Sequence, residues 1–147
     1  MERSQELEDL TRRLYDAVSC ADARFFERYL SRSDSCVIIG TAPGEWWEDY
    51  SAALDPIRKQ MASVGDAVEH VAGDVRAYRE GEVGWVADQP TLKLGSVAAL
   101  CRHTSVFVRE GSEWRIVQHH FSIGVSNDDM FGNEGGRLGN YLRGVSR

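Results

Sequence analysis

Long apolar runs, paired cysteine spacings, low-complexity tracts and blocks of basic charge are all missing from this sequence. No segment approaches the roughly 20 apolar residues that a membrane-spanning helix needs. The opening stretch MERSQELEDL is acidic and has no apolar core behind a basic start, unlike a secretion signal. Only Cys20, Cys36 and Cys101 are present, an odd number with no paired spacing, so a reducing cytoplasm is expected rather than a disulfide framework. Histidines occur without a CxxC or HxxxH pattern, so neither a metal site nor a cofactor is expected. A formal net charge of −6 without a basic patch argues against nucleic acid as a partner.

What is present suits a single domain, because 147 residues can bury roughly two thirds of the surface exposed by the unfolded chain. Leu7, Leu10, Leu14 and Val18 recur at helical spacing, with acidic residues ahead of Arg12 and Arg13 as the helix dipole favours. Asp22 is a plausible cap for a second helix carrying Phe25, Phe26, Tyr29 and Leu30. Cys36 to Ile39 is a short apolar strand stopped by Gly40 and the Pro43-Gly44 turn signal. Asp55-Pro56 has the form of a cap followed by proline at the first helical position, opening a helix with Ile57, Met61 and Val64 on one side.

Past Gly65 the pattern changes to strands, expected at 66–79, 83–94, 97–109 and 114–125, with short turns between them. Short links make sequential strands antiparallel neighbours, and helices followed by a sheet is the α+β order. Gly73 is a candidate bulge and Pro90 a candidate end of pairing, and both would help the sheet to bend over the helices. The stretch from Ser126 to Arg147 is rich in Gly, Asn and Asp and is expected to be mobile, unless Leu138, Tyr141 and Leu142 dock a short helix.

Several segments in order carry a family resemblance. Ile39-Gly40-Thr41 leads to Glu45-Trp46-Trp47, then come Gly84-Trp85-Val86-Ala87-Asp88, Arg102 with Thr104, and the closing stretch Trp114 to Ser122. Together they resemble the SnoaL-like branch of the nuclear transport factor 2-like superfamily, over a pocket domain of residues 1–127 with a tail at 128–147. The resemblance implies an α+β, cone-shaped barrel in which a curved antiparallel sheet wraps around N-terminal helices. It also implies a pocket between sheet and helices for a small apolar or aromatic ligand, and a homodimer through the outer sheet face. The superfamily includes ketosteroid isomerase, polyketide cyclases, epoxide hydrolases, dehydratases and members that catalyse nothing, so fold leaves function open. Cyclases and epoxide hydrolases place an aspartate on the last strand, where this chain has Phe121. Ketosteroid isomerase places its base at the end of the first strand, near Gly40 here. Neither residue can move a proton.

The parity implied by these relatives puts Val117, His119, Phe121 and Ile123 toward the pocket, and Gln118, His120 and Ser122 on the outer face. His119 is then either a general base or a hydrogen-bonded structural histidine. If Arg102 pairs with Phe121 and Thr104 with His119, both line the pocket, and Arg102 could clamp a carboxylate or an oxyanion. A one-residue slip would replace them by His103 and Ser105. Trp46, Trp47 and Trp85 are candidates for the pocket mouth or for simple core. Tyr15 lies near the position of the oxyanion-donor tyrosine of ketosteroid isomerase but off the Leu stripe, so an exposed or interface place is the other reading. Asp88, just before Gln89-Pro90, reads as a strand-end carboxylate in water. Three functions compete: an isomerase, cyclase or dehydratase working by proton transfer, a non-catalytic ligand-binding or dimeric module, and an interaction surface formed by Trp114, Ile116 and Phe107 on the outer face.

Overall fold

Ser4 sets the start of the first helix: its N–H reaches the Ala77 carbonyl at 2.9 Å while its hydroxyl accepts the Leu7 N–H at 3.4 Å. The computed structural model describes residues 1–131; the tail positions Leu138, Tyr141 and Leu142 lie outside the described residues. A two-residue strand, β1 (Glu2–Arg3), precedes α1 (Gln5–Ser19), and α2 (Arg24–Tyr29) follows it. Helix α1 buries Leu7, Leu10, Thr11, Leu14 and Tyr15, an apolar stripe that includes Tyr15 through the spacing 7, 11, 15. Asp22 accepts the Arg24 N–H at 3.1 Å, and α2 turns Phe25, Phe26 and Tyr29 into the core.

Two short strands, β2 (Val37–Ile39) and β3 (Trp46–Trp47), lead into α3 (Tyr50–Val64). That helix begins earlier than the Asp55-Pro56 pair suggested, because Asp49 is the cap and accepts the Ala52 N–H at 2.7 Å. Pro56 sits inside the helix, where its ring removes one backbone bond, to the carbonyl of the solvent-exposed Ala52. Burial of Ala53, Leu54, Ile57 and Met61 holds the helix in place despite that loss.

The four expected strands resolve into β4 (Val68–Val71), β5 (Arg76–Glu80), β6 (Val83–Asp88), β7 (Thr91–Leu94), β8 (Val97–Glu110) and β9 (Glu113–Ile123). A short helix, α4 (Asn127–Phe131), closes the described chain. The segment read as 66–79 breaks around Gly73, and the segment read as 83–94 breaks at Gln89-Pro90. Strand β8 spans the second of these breaks, pairing with β7 at residues 97–100 and with β6 at residues 103–108, so one long strand carries two short ones. The main sheet runs β1-β5-β6-β8-β9-β2-β3, with β4 attached through β7. All pairs are antiparallel except β2 with β9. The sheet is curved and does not close on itself, an α+β architecture with the N-terminal helices on its inner face.

One irregularity decides which residues face inward. Near the hairpin turn Phe107 pairs with Ile116, but Val106 pairs with Gln118, leaving Val117 as an extra residue in β9. Trp114 and Ile116 are buried on one side of this bulge, and His119 and Phe121 on the other. A regular strand continuing from Trp114 and Ile116 would have turned Gln118 and His120 inward instead.

Candidate functional site

Strand pairing lines up two inward rows of side chains. Asp88 stands beside His103, which stands beside Phe121; Val86 stands beside Ser105, which stands beside His119 and then Ile38. Tyr15 descends from α1 onto the first row. The result is a continuous buried chain of polar contacts. The Tyr15 hydroxyl donates to Asp88 Oδ2 at 3.0 Å and lies 2.7 Å from His103 Nδ1. His103 Nε2 is 2.7 Å from Ser105 Oγ, which is 3.1 Å from His119 Nδ1. Asp88 Oδ2 also accepts the Gly73 N–H at 3.1 Å, while its Oδ1 is buried without a partner among the described residues.

Gly73 is required for this arrangement. A Cβ there would fall 2.5 Å from the Gln89 carbonyl oxygen and 2.7 Å from Asp88 Oδ1. The chain break that bends the sheet therefore also lets the backbone approach Asp88 closely enough to bond it.

His119 lies at the inner end of a cavity of about 360 Å³ between α1, α3 and the sheet. The walls include Phe26, Ile38, Trp47, Ile57, Met61 and Phe121, and Tyr15 and His70 line the cavity with His119. Glu45 and Gln60 also line the cavity and bond each other, with Glu45 Oε2 accepting the Ala42 N–H at 2.9 Å. No lysine or arginine lines the cavity among the described residues. Its size is ordinary for a small-molecule site, and its apolar walls with few polar groups are the usual chemistry of one.

Burial governs the electrostatics. It pushes the His119 ring down to about 4, with His120 and His70 adding to the effect. His103 is held well below the ordinary imidazole value, first by burial and then by the other histidines, and burial lowers His70 as well. The Tyr15 hydroxyl is pushed up by burial and by the Asp88 carboxylate beside it. All three inward rings are therefore neutral at neutral pH. His70 Nδ1 is buried without a partner among the described residues, its ring 5.2 Å from Phe121 and 6.3 Å from Tyr15.

The residues singled out from sequence divide cleanly. His119, Tyr15, Trp47 and Phe121 line the cavity. Arg102 and Thr104 do not: they pair with Ser122 and His120 and are exposed on the outer face, so the bulge at Val117 delivers the slipped register with His103 and Ser105 inside. Val117 is the bulged residue and lies outside the cavity lining, and Ile123 is exposed. Trp85 lies on the outer face, stacked on Tyr78 at 4.9 Å, because the neighbours Gly84 and Val86 take the inward positions of β6. Tyr15 is 2% exposed rather than peripheral, and Asp88 is buried rather than solvated at a strand end. Trp114, Ile116 and Phe107 are core and form no outer patch. His103, Ser105 and Asp88 are thus the participants that sequence reasoning undervalued. The available signal was the alternation Cys101, His103, Ser105, Phe107 against Arg102 and Thr104, which places the charged residue outward.

Among the described residues no three His, Cys, Asp or Glu side chains come together as a metal-binding set, and no helix is long and apolar enough to cross a membrane. Cys36 and Cys101 are buried free thiols and Cys20 is an exposed one.

Similarity to known structures follows the fold. A nuclear transport factor 2-like protein of unknown function from Pseudomonas putida KT2440 superposes with a TM-score of 0.73 at 17% identity, over 84% of this chain and 87% of that one. A candidate dehydratase of the same family from Streptomyces avermitilis gives 0.70 at 19% identity, over 83% and 96%. A protein with a cystatin-like fold from Novosphingobium aromaticivorans gives 0.61 at 15% identity, over 94% and 86%. No curated protein sequence matches. Residues 7–126 match the SnoaL-like domain family, a span covering most of the chain, and this protein belongs to that family.

Proposed function

We propose that the cavity holds a small, flat or polycyclic apolar molecule and that His119 moves a proton of that molecule, in an isomerisation, cyclisation or dehydration. The observation that carries this reading is the place of His119: a neutral imidazole at the inner end of an apolar cavity, with one ring nitrogen tied to Ser105. Among the described residues no protein group bonds its other nitrogen, Nε2. A base this far below the ordinary imidazole value takes only protons already acidified by their neighbours, such as a C–H beside a carbonyl. The absence of lining cations among the described residues favours a neutral ligand over a carboxylate or phosphate. The name of the Streptomyces neighbour points to the same reaction class.

The test is exchange and elimination in heavy water. Purified protein is incubated in D2O with a panel of cyclic ketones and cyclic β-hydroxy ketones, and mass spectrometry reads deuterium gain or water loss. A turned-over ketone should lose at least about a hundredfold in rate with His119→Ala. Unchanged turnover would reject the role of His119. A second reading, ligand binding without turnover, is favoured by one observation: the Tyr15 hydroxyl proton is directed to Asp88 and not into the cavity. No exchange with any bound ketone is the outcome expected from it.

We also assign a second copy of the chain to the outer sheet face. Tyr78, Trp85, Val106 and Gln118 form a row across β5, β6, β8 and β9, and Trp85 is 38% exposed there. Three unpaired thiols fit a reducing, cytoplasmic setting.

A further inference from the structure

Hydrogen counting gives the buried polar chain a direction. Each hydroxyl in it has one hydrogen, and each neutral imidazole has one N–H and one lone pair. At the closed end, Asp88 Oδ2 accepts from the Gly73 N–H and from the Tyr15 hydroxyl. With its only hydrogen directed to Asp88, the Tyr15 oxygen meets His103 Nδ1 at 2.7 Å as an acceptor, so His103 must carry its hydrogen on Nδ1. His103 Nε2 is then a lone pair and takes the Ser105 hydrogen at 2.7 Å. The Ser105 oxygen has only lone pairs left for His119, which must donate from Nδ1 at 3.1 Å. What remains facing the cavity is the lone pair of His119 Nε2.

We infer that Asp88 is a positioning residue: through Tyr15, His103 and Ser105 it fixes His119 as the Nδ1–H tautomer and so makes the inner end of the cavity a hydrogen-bond acceptor. Resting on the proposed function, the ligand class follows: a neutral, largely apolar molecule that offers a donor hydrogen there, a phenolic or alcoholic hydroxyl or an acidified C–H. A molecule presenting a carbonyl oxygen to Nε2 would set lone pair against lone pair. Asp88 acts from three side chains beyond the reacting histidine's own bonding partner, and it replaces by remote control the carboxylate missing at Phe121 and Gly40.

The tautomers can be read without any substrate, by long-range 1H–15N correlation spectra of histidine-labelled full chain at pH 7. His103 and His119 are both expected as Nδ1–H. In Asp88→Ala the Tyr15 hydroxyl is free to donate to His103 Nδ1, and both rings should move together to Nε2–H. Asp88→Asn retains an acceptor oxygen and should restore the Nδ1–H pattern. An Nε2–H form of His119 in the unsubstituted protein overturns the inference, whether or not the variants fold; so does an Asp88→Ala protein, folded by its spectrum, in which His119 does not change. The ligand class is tested with 2-naphthol, 2-methoxynaphthalene and 2-naphthoate by titration. 2-Naphthol should bind about tenfold tighter than its methyl ether, near the upper end of a net hydrogen bond, and 2-naphthoate should not bind. Equal binding of naphthol and ether overturns the ligand class while leaving the tautomer result intact. Failure of all three probes to bind counts against the ligand class and the pocket reading together, again separately from the spectra.

Discussion

At the scale of single residues, the histidines are the costly feature of this domain. Each inward ring is transferred from water as a neutral group, so protons prefer the unfolded chain. For His119 the ring falls from 6.5 to about 4 on folding. A depressed histidine contributes stability that is complete above its unfolded value and is lost as pH falls from there toward the folded value. Over that window the loss from His119 alone is of order 3 kcal/mol, taking 1.36 kcal/mol per unit. His70 and His103 act in the same direction. The paired carboxylates Glu6, Asp22, Glu80 and Glu113 are lowered from 4.5 or, for Asp22, 3.8, so the stability they contribute is complete above those values and is lost only as pH falls below them. Urea unfolding should therefore show at least about 2 kcal/mol less stability at pH 4.5 than at pH 7.5. A flat profile across that interval would mean that the rings are solvated in the folded state.

At the scale of elements, the sheet bends where two strands are interrupted, and the interruptions are tied to the site. Gly73 is the clearest case, with backbone in the space a Cβ would occupy. Gly73→Ala should cost about 1–3 kcal/mol in urea unfolding, as overpacking does, and should disturb Asp88. A neutral effect would show that the turn between β4 and β5 can move aside. Much of this layer was legible in advance. The Leu7, Leu10, Leu14 periodicity, the apolar run Cys36 to Ile39 and the glycine turns all mark elements that form. Gly73 was visible as an irregularity and Pro90 as an end of pairing, because each changes what the backbone can do at its own position, but the full division of 66–79 into two strands at Gly73 was not. The start of α3 was misread because Asp49 and Asp55 are both competent caps, and only the burial of Ala53 and Leu54 chooses between them. The register that faces Arg102 and Thr104 outward was not legible from the hairpin turn, because a bulge in β9 resets pairing far from the residues it affects; only the alternation within β8 itself carried that signal. The exposed reading of Tyr15 failed for a simpler reason: a helix lying on a sheet buries a stripe wider than one row of leucines.

At the scale of the whole molecule, the two faces of the sheet have different chemistry. The inner face carries the polar chain and the cavity; the outer face carries an aromatic and aliphatic row with Trp85 at its centre. If a second copy covers that row, Trp85→Arg should convert a dimer to a monomer in sedimentation analysis while leaving the histidine tautomers unchanged. A monomeric unsubstituted protein at tens of micromolar would remove the assignment. The two outcomes are separable because no residue of the outer row belongs to the buried chain.

The extra residue at Val117 has a broader meaning for how such a domain can change. It acts as a phase shifter: on its hairpin side β9 is committed to anchoring the helices through Trp114 and Ile116, and beyond it the strand is free to present His119 and Phe121. The alternation on one side does not dictate the alternation on the other. Scaffold and cavity lining are thereby written on one strand in two independent frames, and sequence drift in the cavity-lining half need not be matched by repacking in the anchoring half.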